Sequence, residues 1–343
     1  MRHASSNSLA AALTGGITAA MTAALTAALN TAIIAAITLA PSAAHAQYPD
    51  KPLTLIVPYT PGGFTDALAR AVAKPLGERL KQTIVVQNVA GGGGNIGAAR
   101  AAKSAPDGYT LYIGNNATIT LNTLIYKSLP FDPLTDLAPV ALIGESQGAL
   151  VVPPALGVKT VAELIALAKA KPGELDFGST GAGGVSHLSG EMFKLAQGVR
   201  MTHVPYKGTA PATTDLIGGQ LQLMFNDAAF QHIKADKLRA LAVTGMKRST
   251  QVPEVPTFTE LGITGYESYA WFGIFVPTGT PAAVIARLSR ELNAVTQEPV
   301  FQKWVQSQNG EALSSTPEEL AAFIKKDLAK WGGVVKATGI VAE

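Results

Sequence analysis

The 343-residue chain reads as an α/β protein of two lobes with a ligand cleft between them. Short apolar runs alternate with helical patterns, which argues for βαβ units and a parallel sheet. The alternation comes in two successive sets, and glycine-rich turns leave strands in both. Ligands of open α/β sheets bind beyond the C-terminal ends of strands, which is where these turns fall.

The chain begins with different material. Residues 1–46 carry Arg2 and His3, then an Ala/Thr/Leu/Ile tract ending in "PSAAHAQ". Ala44-His45-Ala46 fits a small-residue cleavage site, so 1–46 is expected to be a signal peptide and Gln47 the mature start. The alternative is an uncleaved anchor, since the tract is long enough to span a bilayer. Periplasmic localisation is the expectation. The formal net charge of +3 becomes +2 without residues 1–46, where Arg2 is the one formally charged side chain. That balance gives no electrostatic case for nucleic acid. With no Cys there is no disulfide or thiol chemistry, and 47% hydrophobic with 15% charged residues indicates a globular chain.

In the first set, "LTLIVPY" is a strand leading into a helix from about Thr65 to Lys81, with Pro75 expected to kink it or end it early. "TIVVQNV" precedes the helical "NIGAARAAKSA", and "TLYIGNN" precedes a helical stretch from about Asn122 to Lys127. The second set follows "ALVVPPALG": helix in "TVAELIALAKAKPG", strand in "LDFGST", helix in "SHLSGEMFKLAQ", then "MTHVPYKG", "PATTDLIGG", "LQLMFND" and "KLRALAVTG". "SYAWFGIFVP" crosses back to two helices, Pro281 to Thr296 and Pro317 to Val335.

"YTPGGFTDALAR" is the most informative turn. Gly62 and Gly63 remove the Cβ atoms that would hold a visitor off the backbone, and a helix's first turn has unpaired N–H groups, so the turn can hold an anion. Thr65 or Asp66 could equally be an ordinary N-cap. "DFGSTGAGGVSHLSGEMF" has the same logic, with Ser179, Thr180 and small residues before a helix near Ser186 and His187; Ser186 could cap that helix while His187 packs on it. "VPYKGTAPATTDLIGGQ" brings Tyr206, Lys207 and Gly208 to another strand end.

"GGGGNIG" satisfies a formal G-x-G-x-x-G, but the acidic residue a dinucleotide site wants about 20 positions on is replaced by Asn115 and Asn116. The mature chain has His187, His203 and His232, with no pair at metal-ligand spacing, no P-loop and no G-x-S-x-G elbow. Neither metal nor cofactor is expected, and no enzyme; an enzyme would have to use "GGGGNIG" or, as a hydrolase, Ser179 or Ser186.

"VPYTPGGFTDALAR", "NVAGGGGNIGAARAAKSAPDGYTL", "GSTGAGGVSHLSGE" and "VPYKGTAPATTDLIGGQLQLMF" together resemble the Bug family of periplasmic solute receptors, the TctC-like binding proteins of tripartite tricarboxylate transporters. The resemblance runs from about Tyr48 to Val335. It implies the type II periplasmic binding protein fold, with crossings near Ser146 to Val151 and Trp271 to Val276. Lobe 1 is then 47–147 plus 271–343, and lobe 2 is 148–270. It implies a monomer that captures a small carboxylate and meets membrane transporter subunits transiently, or alternatively a ligand sensor signalling through a partner protein. The implied ligand-binding residues are Gly62, Gly63, Phe64, Thr65, Asp66, Thr118 and Asn122 in lobe 1, facing Ser179, Thr180, Gly183, His187, Lys207, Gly208 and Asn226 in lobe 2. Gln87 and Val89 replace residues that are often Glu and Arg in relatives, Gly184 and Val185 stand where relatives commonly carry hydroxyl residues, and the usual Phe-Asp-Asn is Phe225, Asn226, Asp227.

Overall fold

The computed structural model describes residues 48–341 apart from 182, 207 and 228. The expected signal segment, its cleavage site and Lys207 lie outside the described residues. Residues from Pro49 onward form one compact unit, built on two sheets.

The larger sheet starts as the sequence suggests. β1 (Leu53–Val57), α1 (Phe64–Leu80), β2 (Ile84–Asn88), α2 (Asn95–Ala102) and β3 (Thr110–Asn115) make two βαβ units with β1 parallel to both neighbours. Pro75 lies inside α1, and the helix continues to Leu80. The reason is the buried stripe Leu68, Val72, Leu76 and Leu80, which recurs at helical spacing on the core side while Pro75 sits off it. After β3 comes a π-helical turn, Ala117–Leu121, and one short turn of helix, α3 (Asn122–Ile125). β4 (Leu137–Gln147), also in the larger sheet, ends one residue short of β5 (Ala149–Val152) in the small sheet.

β5 (Ala149–Val152), α4 (Val161–Ala170), β6 (Asp176–Ser179), α5 (Val185–Gln197), β7 (Thr202–Pro205), α6 (Thr209–Ile217), β8 (Leu223–Asn226), α7 (Phe230–Lys234) and β9 (Arg239–Val243) build the second sheet, in the order β7-β6-β8-β5-β9. Both its faces are covered, so its central strands β5 and β8 are buried throughout. Leu150 and Val152 join Phe177, Phe193, Phe225, Phe258 and Tyr266 on one face, and Ala149, Val151 and Met224 join Leu216 and Val243 on the other.

The chain returns through β10 (Tyr269–Pro277), α8 (Ala282–Thr296), α9 (Pro299–Ser307), β11 (Gly310–Ala312) and α10 (Pro317–Thr338). β10 enters the larger sheet between β3 and β4, antiparallel to both, giving β11-β4-β10-β3-β1-β2. β5 is likewise antiparallel to β8 and β9. The expectation of parallel sheets therefore holds for β2-β1-β3 and β7-β6-β8 and fails at the strands nearest the crossings. The crossing expected at Trp271 to Val276 is also corrected, because those residues sit inside β10. β10 is buried from Trp271 to Pro277, and such an apolar run looks the same in sequence whether it connects two sheets or sits within one.

The two passages between sheets lie side by side. Gly148 N–H donates to Thr244 Oγ1 at 2.9 Å, Thr244 N–H to Gly148 O at 2.9 Å, and Ser268 N–H to Thr244 O at 3.0 Å. The C-terminal helix α10 ties both halves together: Trp331 packs with Leu121 from the π-helical turn and Leu188 from α5.

Candidate functional site

Three helices point their N-termini at one cavity of about 500 Å3. Phe64 and Thr65 open α1, Val185 and Ser186 open α5, and Thr209 opens α6, and all five line the cavity. First-turn N–H groups have no partner within their own helix, and the helix dipole places partial positive charge at that end. Thr65 and Thr209 add hydroxyls that make no hydrogen bond to another described residue. The arrangement suits an anion approached from both sheets at once.

The first turn is held from behind. Neither Thr65 nor Asp66 is the N-cap; Gly63 is, without a side-chain cap bond. Asp66 instead reaches back from the third helical position, and its Oδ2 accepts from Gly62 N–H at 3.0 Å. Its carboxylate also accepts from Asn88 Nδ2 at 3.0 Å and Arg70 Nε at 3.1 Å. Burial alone would raise its pKa, but the bonds from Arg70, Gly62 and Asn88 outweigh that and hold the carboxyl below its ordinary value. Asp66 thus organises the turn, and the Gly62 amide is engaged by it.

In the other sheet the turn after β6 is held by a histidine stack. His187 and His203 rings lie 3.6 Å apart at 7°, with Phe177 against both. His187 Nδ1 accepts from Gly183 N–H at 3.0 Å, so that amide is occupied inside the protein. Ser179 Oγ lies 2.6 Å from His203 Nε2, a spacing that invites comparison with a nucleophile and its base. Ser179 is fully buried, however, and its hydroxyl donates to Gly181 O at 3.0 Å, which leaves the ring nitrogen as the donor. Ser186 Oγ accepts from Thr180 N–H at 2.9 Å.

Burial lowers both histidines from the usual 6.5 to about 4, helped by Lys194 at each and by His187 at His203. The unfolded chain takes up protons from pH 6.5 downward while the folded stack resists until about 4, so these residues make stability fall as pH drops through that window. Titration of the two ring Cε1–H resonances by NMR is expected to give midpoints below about 5, and midpoints near the ordinary histidine value would refute the assignment.

Of the residues anticipated from sequence, Phe64, Thr65, Asn122, Thr180, Gly183 and Asn226 line the cavity. Gly62 and Gly63 form the exposed turn before α1, and Gly208 is the N-cap of α6. Asp66, Ser179 and His187 stand behind the wall, each bonded to a turn that forms it. Thr118 is also behind it, its N–H donating to Asn115 Oδ1 at 3.1 Å. Lys207 is outside the described residues.

Sequence reading missed Tyr59, Asn115, Tyr126, Phe225, Ser268, Tyr269 and Phe272, all of which line the cavity. Tyr59 and Phe225 sit at the C-terminal ends of β1 and β8, a position that could have singled them out. Much of the wall's polar surface is internally bonded. Asn115 pairs with the Tyr59 hydroxyl, Asn122 Nδ2 donates to Asn95 Oδ1 at 2.7 Å, Thr244 bonds Gly148, and Ser189 bonds Ser268. Among the described residues no group of three or more His, Cys, Asp or Glu is placed to hold a metal, and no helix is long and apolar enough to cross a membrane.

Two α/β halves with helix N-termini converging on a cavity between them define a solute-binding receptor. The profile of the tripartite tricarboxylate transporter family receptor, TctC, matches residues 68–340, and the chain belongs to that family. It is 39% identical over 295 residues to protein BugT of Bordetella pertussis, covering 85% of this chain and 90% of BugT. Among solved structures it resembles Rhodopseudomonas palustris MatC with bound malate, at 29% identity and TM-score 0.72, covering 84% of this chain and 100% of MatC. It also resembles R. palustris Rpa4515 with adipate, at 36% identity and TM-score 0.78, covering 86% of this chain and 99% of the other.

Proposed function

We propose that the protein is a monomeric periplasmic receptor that captures a small carboxylate between lobe 1 (47–147 and 271–343) and lobe 2 (148–270) and hands it to the membrane subunits of a tripartite tricarboxylate-type transporter, without chemical turnover. The observation that carries this reading is the convergence of three helix N-termini, with the Thr65 and Thr209 hydroxyls unengaged, on a cavity shared by the two sheets. Adipate and malate in the two similar structures support a carboxylate. The contacts fall to the Gly63 to Thr65 backbone and Thr65 hydroxyl on one side, and to the Val185, Ser186 and Thr209 first turns on the other. Amide bonds to an anion contribute more than neutral ones, about 1.5 to 3 kcal/mol each.

The test is a thermal-shift and small-angle scattering screen of carboxylates against the exported protein. A subset should raise the melting temperature and compact the particle, with the acid recovered unchanged. Compaction by no carboxylate, or conversion of the bound acid, would remove the proposal. Loss of uptake on deleting the gene separates transport from sensing.

A further inference from the structure

Six aromatic residues line the cavity: Tyr59 from the turn after β1, Phe64 from the start of α1, Tyr126 from the end of α3, Tyr269 and Phe272 from β10, and Phe225 from β8. We infer that the ligand is a carboxylate borne on a flat apolar body, an aryl or arylalkyl monocarboxylic acid. The inference rests on the carboxylate reading above and narrows it.

Two features favour this class over di- and tricarboxylates. A second or third carboxylate needs its own donors, and Asn115 Nδ2 donates to the Tyr59 hydroxyl, Asn122 Nδ2 to Asn95 Oδ1, Ser189 Oγ to Val185 O and Thr244 Oγ1 to Gly148 O. Besides the helix first turns, open donors in the wall include the hydroxyls of Ser146, Tyr126 and Tyr269, the last two at the tips of rings, and rings occupy much of the remaining wall. The second feature is Phe64, which begins α1 and so offers a free first-turn amide from the same residue whose ring pairs with Phe272, centroids 5.0 Å apart at 46°. A carboxylate seated on that helix end brings its attached carbon skeleton against the ring pair, and a flat ring there gains offset or edge contacts that an extended polyanion does not.

The experiment is calorimetric titration of the exported protein at neutral pH with benzoate, phenylacetate and 3-phenylpropionate, against malate, adipate, citrate and neutral benzyl alcohol. The expected result is an aryl acid with a Kd at least about tenfold below that of every aliphatic acid, a gap equal to about 1.4 kcal/mol. Phe64→Leu and Tyr126→Leu, each checked for an unchanged unliganded melting temperature, should weaken that acid at least about tenfold. If malate, adipate or citrate binds best, the inference is overturned while the carboxylate reading stands. If benzyl alcohol matches the best aryl acid, the carboxylate reading fails and the inference with it.

Discussion

Gly183→Ala lowers the unliganded melting temperature by a few degrees and loses the ligand-induced rise. In the wild type, ligand at a hundredfold excess over its Kd stabilises the folded state by about 2.7 kcal/mol, or roughly 5 to 10 °C for lobes of this size. Gly183 has φ +76, and a Cβ there would overlap Cδ1 of Ile125, which belongs to α3 on the other sheet. Alanine at this φ costs on the order of 1 to 3 kcal/mol locally. The overlap with Ile125 acts between the sheets and opposes their approach. Adding Ile125→Val removes the overlapping methyl and should restore part of the ligand-induced rise without curing the φ strain. Gly63→Ala is the control: φ is −82 and nothing lies within 4 Å of the added methyl, so the fold is unstrained and only ligand approach can suffer. Thermal shifts and scattering on the four proteins decide it. A full ligand response in Gly183→Ala would mean that the two turns do not meet across the ligand.

Asp327→Ala is expected to be the most destabilising substitution, at about 3 to 5 kcal/mol. Asp327 is buried on α10, and its carboxylate accepts from Trp271 Nε1 at 2.9 Å and Trp331 Nε1 at 3.0 Å. The Thr120 hydroxyl approaches Oδ2 at 2.7 Å. Removing the carboxylate strands two indole N–H groups in the core and releases the π-helical turn, whose Ala117 is part of the cavity wall. Urea unfolding measures the loss, and Asp327→Asn, which keeps one acceptor oxygen, should recover part of it. A cost under about 1 kcal/mol would show that the indoles find other partners.

The strand-turn-helix units were legible because their signals are local: an apolar run, glycines, then helical periodicity, as from Leu53 to Leu80. The turns that reach the cavity were legible for the same reason. What stayed hidden depends on neighbours distant in sequence. His187 lies only four residues beyond Gly183, but the orientation of its ring that takes the Gly183 amide is set by His203 on β7, which the local sequence does not show. The aromatic wall gathers residues from the turn after β1, the start of α1, the end of α3, β8 and β10, so no single window displays it. β10 misled because strands buried on both faces lose the alternation that marks a half-exposed one.

The central position of β10 also governs the order of assembly. During synthesis every strand of the small sheet leaves the ribosome after β4 and before β10, so that sheet can complete its pairing while β3 and β4 still await the strand that lies between them. Closing a sheet around a late, distant strand is slow, because the entropy of a long loop must be overcome before its contacts form. Until then the buried edges of β3 and β4 stand open to other chains. The larger sheet therefore cannot close until synthesis has passed Pro277, after the whole of the small sheet is already available.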